Sequence, residues 1–123
     1  MAMERRLFSR FLMSGKVIVQ PDPAGGEAVD CELIDLSYGG VGLYIPRALV
    51  KGSQAKFLVI NRQLNVNLGG LAKVIFCNPT EYNGKAYFRA GFEFLTVDRE
   101  QVQALLMRVR DSLEHNNEKS GAR

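Results

Sequence analysis

From Lys16 to Leu95 this sequence is a succession of apolar runs of five to ten residues, each closed by glycine, proline, asparagine or a charged turn. Residues 64–68, Leu-Asn-Val-Asn-Leu, alternate with strict period two, and residues 29–34 set Val29, Cys31 and Leu33 on one face. The segments 16–20, 41–45, 55–60, 71–77 and 86–95 read as further strands. Parallel pairing would need helical crossovers between these runs, and none separates them, so the pattern predicts six or seven short antiparallel strands in a barrel or sandwich. Pro46 ends the run at 41–45 because it has no N–H for a ladder. Gly69-Gly70 suggests a bulge or bend. Residues 79–84 read as a hairpin loop, in which Asn83-Gly84 supply the positive φ values of a tight turn.

Helical spacing begins only at the end of the chain. Asp98 is placed as the N-cap of one helix from Arg99 to about Glu114, with Val102, Leu105, Leu106, Val109 and Leu113 in one apolar stripe that packs on the core. Arg108 and Arg110 read as solvated charges of this helix. Residues 115–123 are polar and read as a disordered tail.

A chain of 123 residues is one domain by length and can bury a core without metals or disulfides. Cys31 and Cys77 each lie inside an apolar run, outside any CxxC or Cys/His cluster, which predicts free thiols of a reducing compartment and no metal site. No apolar stretch approaches the ~20 residues of a membrane span, and the charged segment from Glu4 to Arg10 does not read as a secretory leader, so a cytoplasmic protein is expected.

The net charge is +3, and its placement matters more than its size. Residues 1–16 hold Arg5, Arg6, Arg10 and Lys16 against Glu4, leaving twelve charges of each sign in the remainder. The whole excess is therefore local, which suits an anion site better than a broad nucleic-acid face. The single histidine, His115, falls in the polar tail, so nucleophilic catalysis has no imidazole base on the scaffold. Glu32, Asp35 and Glu93 read as strand residues or hydrogen-bond partners rather than an acid/base pair, and the chain is not expected to be an enzyme.

Two stretches carry the recognisable chemistry. Asp35-Leu36-Ser37-Tyr38-Gly39-Gly40 sets two oxygen-bearing side chains beside a glycine turn between strands, where Gly39 and Gly40 allow positive φ and close approach to the main chain. Arg6 and Arg10, four residues apart and preceded by Arg5, offer guanidinium groups that can fork onto phosphate, stack on a base or reach the O6/N7 edge of guanine. Asp35 could accept from the N–H groups on guanine's opposite edge. Read from residue types alone, the arginines are equally a solvated charge run and the loop an ordinary turn.

The sequence ERRLFSRF followed by DLSYGG resembles the RxxxR and DxSxxG signatures of PilZ domains, bacterial receptors for cyclic di-GMP, with Arg6 and Arg10 in the first motif and Asp35, Ser37 and Gly40 in the second. The resemblance covers roughly residues 4–114. It implies a mainly β fold, a six-stranded antiparallel β-barrel with a C-terminal α-helix over residues 14–114, and a flexible arginine-bearing arm over residues 1–13 that closes on ligand. It implies cyclic di-GMP as ligand, no cofactor, and a ligand-binding set of Arg5, Arg6, Arg10, Asp35, Ser37, Gly39 and Gly40. Because no output domain is evident, it implies an adaptor that passes a change of shape to an unidentified effector protein. A basic residue at Arg5 is associated in this family with binding of an intercalated cyclic di-GMP dimer. Two other readings compete: a protein-interaction module that uses no nucleotide, and a single-stranded nucleic-acid binder on an OB-like barrel. The second is weakened by the neutral balance beyond residue 16, so neither DNA nor RNA is expected.

Overall fold

The computed structural model describes residues 10–22 and 25–121, with backbone alone from 112 onward. Seven strands precede one helix: β1 Phe11–Leu12, β2 Lys16–Gln20, β3 Val29–Leu36, β4 Gly40–Ile45, β5 Gln54–Asn61, β6 Val66–Tyr82, β7 Lys85–Thr96 and α1 Arg99–Gly121. All ladders are antiparallel and run β3-β2-β5-β6-β7-β4, and β4 pairs back with β3. Six strands thus close a barrel, as the pattern of short strands and the family resemblance predict, while β1 is an extra strand on the edge of β3.

Period-two alternation decides what the barrel encloses. Val17 and Val19 of β2, Phe57 and Val59 of β5, Leu43 and Ile45 of β4, and Phe92 and Phe94 of β7 all point inward and are buried. Each side chain of this size contributes about 1.5–3 kcal/mol by leaving water. Phe57 and Phe94 stack inside with ring centroids 5.1 Å apart. Helix α1 adds Val102, Leu105 and Val109 to the same cluster and packs against β1 and β6, so the apolar stripe is core.

Asp98 caps the helix as the sequence predicts, its Oδ1 accepting from the backbone N–H of Glu100 at 3.0 Å and of Gln101 at 3.2 Å. The helical backbone runs to Gly121, past the end expected near Glu114. No proline or glycine interrupts residues 112–120, and polar, helix-tolerant residues fill them. Arg108, expected to be merely solvated, donates to the Leu64 carbonyl at 3.0 Å and pins the helix to the β5–β6 turn.

Three strand boundaries also differ from the pattern. Residues 62–65 form a turn, with Asn65 at φ 53°, so the alternating run enters the ladder only at Val66. Asn tolerates the left-handed region, and its place in a period-two run hid the turn. Gly69 and Gly70 run straight through the β5 ladder, and the register shifts against β7 come later, between Leu71 and Ala72 and between Val74 and Phe76. The glycine is needed at 70 because a Cβ would overlap the Thr96 carbonyl oxygen. The hairpin loop shrinks to Asn83 and Gly84, with φ of 54° and 74°, and Pro79 lies within β6. Beyond Lys73 that strand pairs only with β7, and an edge accommodates proline where a central strand would not.

Strands β1 and β2 are almost one strand. Both pair with β3 on the same side, and between them Met13 N donates to Ile34 O at 3.1 Å and Leu33 N to Gly15 O at 3.0 Å. Asn61, buried at the end of β5, fixes this junction: its Nδ2 donates to Ser14 O at 2.7 Å while its Oδ1 accepts from Leu64 N at 2.9 Å. Of the arm expected over residues 1–13, the part from Phe11 to Met13 is therefore held along β3. Residues 1–9 lie outside the described residues.

Both cysteines are free thiols. Burial pushes the Cys31 thiol up from 9.0 to about 12, with the flanking carboxylates of Asp30 and Glu32 adding to the effect. A thiol whose folded pKa is raised keeps its proton where the unfolded chain loses it, so its contribution to stability is intact below about pH 9 and declines as pH rises from there toward about 12. Urea unfolding at pH 8 and pH 10 should show an extra loss of roughly 1 kcal/mol in the wild type relative to Cys31→Ala. Equal losses in the two proteins would rule this out.

Candidate functional site

The bulge in β3 between Leu33 and Asp35 turns Asp35 onto the outer face of the barrel. There it heads a row that crosses four ladders: Leu12 of β1 stands opposite Asp35, Asp35 opposite Gly42 of β4, Gly42 opposite Gly91 of β7, and Gly91 opposite Phe76 of β6. The two glycines in the middle leave room for the side chains at either end. A Cβ on Gly42 would overlap Asp35 Oδ1, and one on Gly91 would overlap the Phe76 ring. The carboxylate and the ring thus lie down on the sheet from opposite sides.

Although it faces outward, Asp35 is buried, because Arg10 covers it. Arg10 Nη1 donates to Asp35 Oδ1 at 2.8 Å, and Arg89 Nη2 approaches Oδ2 at 3.8 Å. The Asp35 side chain is only 7% exposed, whereas the two arginines are each about half exposed, at 49% and 48%. One carboxylate therefore faces two guanidinium groups that still reach solvent, and the cluster keeps an unmatched positive charge available for an anion.

The loop after β3 is fixed by its own polar groups. Ser37 N donates to Gly40 O at 2.9 Å, Gly40 N donates to Ser37 Oγ at 3.2 Å, and the serine hydroxyl returns a bond to Gly40 O at 3.3 Å. Phe94 N donates to Gly39 O at 2.8 Å, joining the turn to β7. Arg99, the first residue of α1, donates to Tyr38 O at 3.0 Å and Phe94 O at 3.4 Å, with its guanidinium 5.4 Å from the Tyr38 ring centre. Neither Gly39 nor Gly40 has the positive φ their place in the turn suggested. Gly40 is required for a different reason: a Cβ there would overlap the Phe92 carbonyl oxygen, so β4 and β7 could not approach.

Arg10, Ser37, Gly39, Gly40, Phe76 and Glu93 line an open concavity of about 400 Å³ on this face, within the range of small-molecule sites. Of the residues singled out in the sequence, Arg10, Asp35, Ser37, Gly39 and Gly40 come together here. Arg5 and Arg6 lie outside the described residues. Sequence reasoning did not find Gly42, Phe76, Arg89 or Arg99. Alternation along β7 puts Arg89 and Gly91 on one face, but only the pairing of β4 with β7 brings them to Asp35.

Among the described residues no cluster of His, Cys, Asp and Glu could hold a metal ion. The site's equipment is a guanidinium fork, a buried carboxylate, an aromatic ring and a rigid glycine turn, a set with the chemistry to bond an anion and stack on a planar group. The family model of the PilZ domain matches residues 4–110. The chain belongs to the PilZ domain family. Solved PilZ structures share its fold. The PilZ domain of YcgR from Escherichia coli, solved with c-di-GMP, superposes with a TM-score of 0.70 at 21% identity over 95% of this chain and 98% of that one. A longer YcgR chain in complex with c-di-GMP gives 0.73 at 22% identity, covering 94% of this chain and 50% of that one. MotI/DgrA, the inhibitor of motility from Bacillus subtilis, gives 0.70 at 17% identity, covering 89% and 52%. This PilZ chain thus spans about half the length of the last two. No curated protein matches it at a significant level. No helix among the described residues is long and apolar enough to cross a membrane.

Proposed function

We propose that this PilZ chain is a receptor for cyclic di-GMP that responds by changing shape and passes that change to a partner protein. The observation that carries the reading is the arrangement of Arg10 over buried Asp35 at the edge of the concavity, with the Ser37–Gly40 turn forming its wall. A phosphate takes the guanidinium fork, and a guanine presents N–H donors to a carboxylate at the same place. The solved complexes of YcgR with c-di-GMP support the choice of nucleotide. The reading assigns no reaction to the chain. Calorimetry with cyclic di-GMP, cyclic di-AMP and GTP tests it: heat specific to cyclic di-GMP is expected, and equal or absent heats for all three reject it.

Arg5 bears on stoichiometry. Two stacked nucleotides bring four phosphate charges and several guanine faces together, and a third guanidinium beside Arg6 and Arg10 supplies counter-charge and a stacking plane. Two ligands per chain are expected, and Arg5→Leu should lower the number toward one while binding persists. A wild-type titration ending at one ligand per chain would exclude the stacked dimer.

A further inference from the structure

Arg10 is asked to hold two anions. Its guanidinium is hydrogen-bonded to Asp35 Oδ1, and a ligand phosphate that draws it away would leave a buried carboxylate without its hydrogen-bonded cation. An abandoned buried charge opposes the very movement that binding requires. Arg89 stands on the other side of the same carboxylate, 3.8 Å from Oδ2: close enough for an ion pair, too long for a hydrogen bond. It projects from the outer face of β7 opposite Tyr44, two residues from Gly91, so its backbone is fixed by the ladder that positions Gly42 beneath Asp35. Half of its side chain is still exposed, and a shift of about an ångström would complete the bond.

We infer that Arg89 is a positioning residue of the ligand site: it takes over the Asp35 carboxylate when Arg10 turns from Asp35 to the ligand's phosphate. Asp35 then stays paired and oriented, with Oδ1 freed as an acceptor for guanine N–H groups. None of this requires Arg89 to touch the ligand. The inference rests on the cyclic di-GMP reading.

The test is a double-mutant cycle on the full chain, read by calorimetry with cyclic di-GMP and by thermal unfolding without ligand. Arg89→Ala should weaken binding about tenfold with the unliganded unfolding temperature nearly unchanged, and Arg89→Lys should recover part of the loss. In the Asp35→Ala background, removing Arg89 should change affinity no further. Arg89→Gln, which keeps a polar side chain without the charge, replaces the alanine if that variant is unstable. Wild-type affinity in Arg89→Ala overturns the inference, and so does an equal loss with and without Asp35, which would mean direct contact with the ligand. A wild-type chain that gives no heat with cyclic di-GMP rejects the nucleotide reading itself and the inference with it, an outcome distinct from both others.

Discussion

Arg10→Ala should weaken cyclic di-GMP binding by about a hundredfold and, unlike an ordinary surface substitution, should also lower the stability of the empty protein. The binding loss follows from removing a charge-assisted, forked contact worth about 1.5–3 kcal/mol together with its share of the site's positive charge. The stability loss follows from the 2.8 Å bond to Asp35, whose buried carboxylate would keep only Arg89 at 3.8 Å. About 1 kcal/mol is expected, since water can enter where the arginine lay. The sequence alone would treat this arginine as free for the ligand and its removal as neutral for folding. Calorimetry and urea unfolding on the same preparation check both halves. Unchanged affinity would remove Arg10 from the site, and unchanged stability would show that Asp35 needs no partner in the empty protein.

Gly40→Ala should destabilise the fold by about 3 kcal/mol or more. The added Cβ would overlap the Phe92 carbonyl oxygen and lie 3.4 Å from the Glu93 Cα, and a ladder of backbone atoms cannot swing aside as a side chain can. Relief would need β4 to part from β7 where the barrel carries the Ser37–Gly40 turn, so binding should fail along with stability. Gly25→Ala is the control, because nothing stands within 4 Å of its Cβ position. A Gly40→Ala protein that unfolds within 1 kcal/mol of wild type would show that the two strands can separate at little cost.

Much of this architecture is legible in single residues. The inward placing of Cys31 and Leu33 in β3 follows from alternation, and the β6–β7 turn follows from Asn83-Gly84. The helix start follows from Asp98. What stayed hidden depends on partners remote in sequence. Pro79 is acceptable in a strand only because β6 outruns β5, and strand length relative to a neighbour is not written in either strand. Glycine at 42 looks like a weak point in a strand until Asp35 is seen lying across it. The Asp35–Ser37–Gly40 loop could be found because its chemistry is contiguous, but the hydroxyl of Ser37 turns out to close the turn. Arg89 could not be found, since its role exists only through the pairing of β4 with β7 and the bulge that turns Asp35 outward.

The way β1 is fastened to β3 limits where the other arginines can be. With Phe11 and Leu12 in the ladder and Asn61 clamping Ser14, Arg10 is the first residue ahead of a fixed point. Four residues of chain reach at most ~14 Å, so the Cα of Arg6 stays within that radius of Arg10 whatever path the chain takes. The chain therefore acts as a tether that keeps Arg6 near Arg10 at a high effective concentration. On the cyclic di-GMP reading, a nucleotide captured by Arg10 would meet Arg6 as an intramolecular event, and a contact too weak to form between separate molecules would still add to the affinity. Loosening β1 from β3 would leave Arg6 tied to Arg10 but release Arg10 from its place over Asp35, without altering any group that touches the ligand.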